Sequence, residues 1–121
     1  AAGPVAAESG EGVDFGPLTA YAGDDAEAAR GILASFAEQS AANCLLLERA
    51  LADDDAAALK AVAHRMLPIF TMLGAVEVAG ALRTAEGWDG PLTDALRVPV
   101  RAAVENIRAI VAEAQKKVSL P

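Results

Sequence analysis

The chain has 121 residues, enough for one domain with a single core and too few for two. It is 54% hydrophobic but only 4% aromatic, and its net charge of −7 argues against nucleic-acid binding, which needs a basic patch. No apolar run reaches the ~18 residues of a membrane span, so no direct membrane contact is expected, and the first residues lack the basic start and apolar middle of a signal peptide.

Much of the apolar content is alanine, the best helix former. β-branched and aromatic residues are sparse, and no alternating apolar/polar run of strand length stands out. The expected class is all-α. Residues 1–14 (AAGPVAAESGEGVD) are small, Gly-containing and acidic, cannot bury enough surface to order themselves, and read as a flexible linker. A leading linker suggests a domain from a longer chain. The bundle proper is expected over 15–118, with 119–121 as a tail.

Pro17 opens a short helical turn, Leu18 to Ala22, ended by Gly23. Asp24 is a good N-cap for a long second helix whose stripe reads Ala29, Ile32, Leu33, Phe36, Ser40, Asn43, Cys44, Leu47 and Leu51. Cys44, the single cysteine, cannot form an internal disulfide and reads as a small packing residue in a reducing compartment. The Asp53-Asp54-Asp55 triplet breaks the pattern and caps a third helix that stops near Gly74. It reads as capping and not as a metal site. A fourth helix follows almost directly, with Val76, Ala79, Leu82 and Ala85 inward. Gly87-Trp88-Asp89-Gly90-Pro91 is a loop by its turn chemistry, with Trp88 packing at the bundle end. The last helix, from Leu92 or Thr93 to Val118, buries Leu96, Val100, Ala103, Val104, Ile107, Val111 and Ala114; Pro99 kinks it or marks its true start. Short connections between long amphipathic helices force antiparallel neighbours. The predicted architecture is an up-down-up-down antiparallel four-helix bundle with a short extra N-terminal helix.

His64, the only histidine, lies in the third helix. At about 100° per residue, Leu59, Val62, Ala63, Met66, Ile69, Phe70 and Leu73 form the inward stripe, and His64 points roughly 160° from its centre. Ala61, Leu67, Pro68 and Met72 are assigned to the same outer surface as a docking patch. Lys60 lies one turn before His64 on the same face, at the spacing that lets side chains meet. Arg65 points about 100° aside. Pro68 has no N–H to bond the carbonyl of His64, so the helix should loosen there. It is either a tolerated kink or part of the docking surface. There is no glycine-rich phosphate loop, no Cys/His spacing for zinc, and no second base to activate a serine.

The segment AHRMLPIFTMLGA, Ala63 to Ala75, resembles the signature of histidine-containing phosphotransfer (HPt) domains. In that family an exposed histidine on a bundle helix is followed by Leu-Gly-Ala, here Leu73-Gly74-Ala75. The element order is similar as well, so the resemblance covers nearly the whole chain after the linker. The Met-Leu-Pro run further resembles HPt domains fused to hybrid sensor histidine kinases of the Bacteroidetes type. Leu67 and Pro68 stand where the common pattern has lysine and glycine, leaving Lys60 first and Arg65 second as helper cations. The resemblance implies a cytoplasmic, monomeric phosphocarrier for two-component signalling that is not an enzyme as an isolated domain. His64 would take a phosphoryl group from a receiver-domain aspartate and pass it to another receiver. The receiver, docking over the faces of the second and third helices, would bring the Mg²⁺, and the domain would need no cofactor of its own. The alternative is a non-catalytic helical interaction module, including a degenerate HPt domain that binds a receiver without being phosphorylated.

Overall fold

The computed structural model describes residues 12–119. They form α1 (Gly16–Thr19), a 3-10 turn (Ala20–Ala22), α2 (Ala26–Ala52), α3 (Ala56–Met72), α4 (Val76–Glu86) and α5 (Asp94–Ser119). The fold is all-α, a four-helix bundle preceded by a short helix. Each long helix packs on two neighbours: α2 on α3 and α5, and α4 on α3 and α5. The four therefore close a ring around one core.

Local chemistry sets the ends of the helices. The N-cap of α2 is Asp25, one residue later than Asp24; its carboxylate accepts from the N–H of Ala28 at 3.0 Å. Asp55 caps α3 in the same way, accepting from Ala58 at 3.0 Å. Between them Asp54 has φ 55°, a left-handed conformation that aspartate tolerates better than most residues. Gly74, at φ 76°, turns α3 into α4, where a side chain would be strained. α1 starts at Gly16, two residues before the predicted Leu18.

The stripe predicted for α5 is buried throughout, joined by Ile110. In α2, Leu33, Phe36, Ser40, Cys44, Leu47 and Leu51 are buried, with Ala37 and Ala50. Five inward expectations are not fully met: Ala29, Ile32 and Asn43 of α2 and Ile69 of α3 are only half-buried, and Val76 of α4 is exposed. Val76 is 76% exposed because it is the first residue of α4, and Val78 fills the core beside Ala79, Leu82 and Ala85 instead. Ile69 is only half-buried, at the edge of the α3 stripe. Pro68 and Pro99 both lie inside continuous helices, so Pro99 does not mark the start of α5.

Of the stretch read as a linker, residues 1–11 lie outside the described residues, as do 120 and 121 of the tail. Val13 packs against the core, and Asp14 donates its N–H to the Leu73 carbonyl at 3.1 Å. Phe15 meets Phe36 edge-on with ring centroids 5.9 Å apart, and Phe36 meets Phe70 at 5.7 Å. This aromatic chain fastens the N-terminal segment over the α3–α4 turn. At the other end of α3, Arg97 of α5 acts as a clamp. It donates to the carbonyls of Leu51 and Leu92, both at 2.8 Å, and bridges Asp54 at 2.6 Å. The α3–α4 hairpin is thus held at both ends.

Candidate functional site

α3 holds its inward side rigidly: Leu59, Ala63 and Phe70 are fully buried and Met66 is 1% exposed. His64 follows a fully buried residue, yet its side chain is 74% exposed. Helical geometry alone sends it outward, as its place in the sequence predicts. The imidazole is not free, however. Its Nδ1 is paired with Oε2 of Glu86, the last residue of α4, in a short contact. An ionised carboxylate only accepts, so in the neutral imidazole the proton of this bond belongs to Nδ1. The Nε2 atom then carries the lone pair and has no hydrogen-bond partner among the described residues.

Lys60 sits one turn earlier, and its Nζ is 3.6 Å from Oδ1 of Asp89 in the loop after α4. Asp89 is almost fully exposed, so this pair is a weak one. The two bridges run in parallel, from α3 to the end of α4 and to the loop beyond it. Arg65 is exposed and makes no ion pair among the described residues.

Ala61 and Pro68 are exposed beside His64. Leu67 and Met72 are not on that outer surface to the same degree; both are half-buried and packed against the core. The reason is angular: Leu67 turns toward α4 and Met72 toward α2, each covering a seam between helices. On α2, Leu45 and Leu46 are exposed at 63% and 42%, which its stripe leaves outside the core. Pro68 has no N–H to offer the His64 carbonyl, so the helical bond between these two residues is missing.

Glu86 is the site residue that sequence reasoning missed. A signal for it existed. The α3–α4 hairpin turns at Gly74, and His64 and Glu86 lie at nearly equal distances along the chain on either side of it. Antiparallel packing brings such positions level, as it does for Lys60 and Asp89.

Among the described residues no group of three or more His, Cys, Asp or Glu side chains could hold a metal ion, and no helix is long and apolar enough to cross a membrane. Cys44 is fully buried, and burial pushes its thiol up to about 11, with Glu48 adding to the rise and Arg108 opposing it. A thiol in that state is a packing group and not a nucleophile.

No protein-family model matches the chain, and no curated protein or solved structure matches it.

Proposed function

We propose that the domain is a phosphocarrier of the histidine-containing phosphotransfer type, with His64 taking a phosphoryl group from a receiver-domain aspartate and passing it to another. The observation that carries this reading is an exposed imidazole engaged at Nδ1 by Glu86 and unengaged at Nε2. A phosphoacceptor histidine needs that arrangement: one nitrogen holds the proton and fixes the ring, and the other offers its lone pair outward.

Phosphoryl transfer asks the protein mainly for positioning and charge stabilisation. The Nε2 lone pair attacks the phosphorus of the aspartyl phosphate, the P–O bond breaks, and the aspartate leaves as its carboxylate. The N–P bond makes the ring an imidazolium that keeps its proton on Nδ1, and Glu86 faces that positive charge directly. Return transfer runs the same steps backwards. The receiver would bring Mg²⁺, whose chemistry there would be to neutralise charge on the phosphoryl oxygens. This division of labour accounts for a domain with one imidazole and little other chemistry. The exposed Ala61 and Pro68, with the outer parts of Leu67 and Met72, offer the apolar contact area for docking. Leu45 and Leu46 extend the apolar area onto α2.

The test uses phosphoramidate as a partner-free donor and a panel of receiver domains that it has phosphorylated. Wild type is expected to gain acid-labile, alkali-stable phosphate, and His64→Gln to gain none. An unlabelled wild type, or label surviving His64→Gln, overturns the reading. Receiver binding without any label identifies the domain as a non-catalytic interaction module instead.

A further inference from the structure

A phosphoryl group on Nε2 of His64 brings about −1.5 to −2 charges to a site that already holds the Glu86 carboxylate. Like charges that close disfavour one another, so a cation on the same surface is needed to hold the group. Lys60 lies on the His64 face, but its ammonium is drawn toward Asp89 at 3.6 Å, below the site. Arg65 is turned about 100° around α3 from His64, toward the α2 side. Both cations belong to α3 itself.

Arg83 is a third cation, and it comes from the facing helix. It lies three residues before Glu86 on α4, one turn away and on the same side of that helix. Because α3 and α4 run antiparallel, the turn of α4 before Glu86 lies beside the turn of α3 after His64, at Leu67 and Pro68. That is the outer edge of the site, opposite Lys60 and Asp89. The Arg83 side chain is exposed and forms no ion pair or hydrogen bond among the described residues. Its neighbours at helical contact spacing are Ala79, Gly80, Glu86 and Gly87, and of these only Glu86 is charged. The Glu86 carboxylate is already engaged by Nδ1 of His64. Arg83 is therefore a long, exposed guanidinium with no partner among the described residues, one turn of α4 from the carboxylate that engages the imidazole.

We infer that Arg83 is the group that binds the phosphoryl oxygens of phosphorylated His64, a role resting on the phosphocarrier reading above. A guanidinium suits it, since its planar fork can meet two phosphoryl oxygens at once. The cation is thus supplied across the hairpin from α4, while the α3 positions after His64 are left to the apolar Leu67 and Pro68. Glu86 and Arg83, one turn apart, then divide the work: one faces the ring and the other faces the phosphoryl group.

The experiment measures the rate at which phosphoramidate, an anionic donor, labels wild type, Arg83→Ala, Arg83→Lys, Lys60→Ala and Arg65→Ala. Circular dichroism confirms that each variant is folded. Arg83→Ala is expected to label about tenfold more slowly, a larger loss than in Lys60→Ala or Arg65→Ala, with Arg83→Lys partly restored. In ¹⁵N-labelled protein, the Nε–H resonance of Arg83 should shift on phosphorylation of wild type and stay in place in His64→Gln treated identically. Labelling of Arg83→Ala at the wild-type rate, or an unmoved Arg83 resonance in phosphorylated protein, overturns the inference and leaves the phosphocarrier reading standing. A wild type that takes no label overturns both.

Discussion

At the residue scale, two side chains show how burial and exposure decide chemistry. His64 is open to solvent because of its place on α3, while the buried Ala63 and Met66 anchor the helix. Cys44 is inert for the opposite reason. Its fully buried site disfavours the thiolate and pushes the thiol up to about 11. It should resist iodoacetamide in the native protein and react once the chain is unfolded in guanidinium, which mass spectrometry can follow. Its raised pKa also links stability to pH. The native state keeps the proton that the unfolded chain releases near 9, so this contribution is intact below pH 9 and falls as pH rises toward 11. Across that window wild type should lose up to about 2–3 kcal/mol relative to Cys44→Ala, read from urea melts at each pH.

At the scale of the elements, the ends of the helices were legible and the ties between them were not. Aspartate before an apolar-periodic run marks a helix start, and Asp25 and Asp55 both bond the first turn of the helix they precede. One was misplaced by a residue because Asp24 and Asp25 are chemically equal in the sequence. Arg97 gave no such signal. It looks like one more surface arginine on α5, but its side chain is only 19% exposed and donates to two backbone carbonyls, one in the last turn of α2 and one in the loop before α5. Arg97→Met should destabilise the domain by about 1–3 kcal/mol, since those carbonyls would lose a charged donor. Denaturant unfolding measures this, and an unchanged midpoint would show that water replaces the guanidinium at no cost. The two prolines carry a related lesson. Each removes one helical hydrogen bond, but neighbouring turns and tertiary packing carry α3 and α5 through as continuous helices.

At the scale of the whole molecule, the ring of four helices is what turns a periodic sequence into a platform. α2 and α5, with 27 and 26 residues, form the longest contact and outrun the shorter α3–α4 hairpin. The N-terminal segment then covers the turn of that hairpin through Phe15 and Asp14. Stability rests on the shared centre, where Leu47, Leu59, Phe70, Leu82, Leu96 and Ile107 are fully buried. Ile107→Ala should cost about 2–5 kcal/mol in a single cooperative transition monitored by circular dichroism. Separate transitions for the α3–α4 hairpin and the α2–α5 pair would contradict a single shared core.

The sequence by itself determined where the helices lie, which residues face inward, and that His64 faces out. These are local matters: a 3.6-residue period runs through each long helix, and Asp25 and Asp55 cap two of them. Only the tertiary structure decided what His64 meets. Glu86, Asp89, Arg83 and Arg97 lie outside the inward stripes, where no periodicity constrains residue type, so their charges looked like ordinary solvated ones. Their partners depend on the register of one helix against the next, which the turn at Gly74 and the packing of the core fix together. That register places a carboxylate on Nδ1 of the imidazole, with Arg83, exposed and without an ion pair among the described residues, one turn of α4 from that carboxylate.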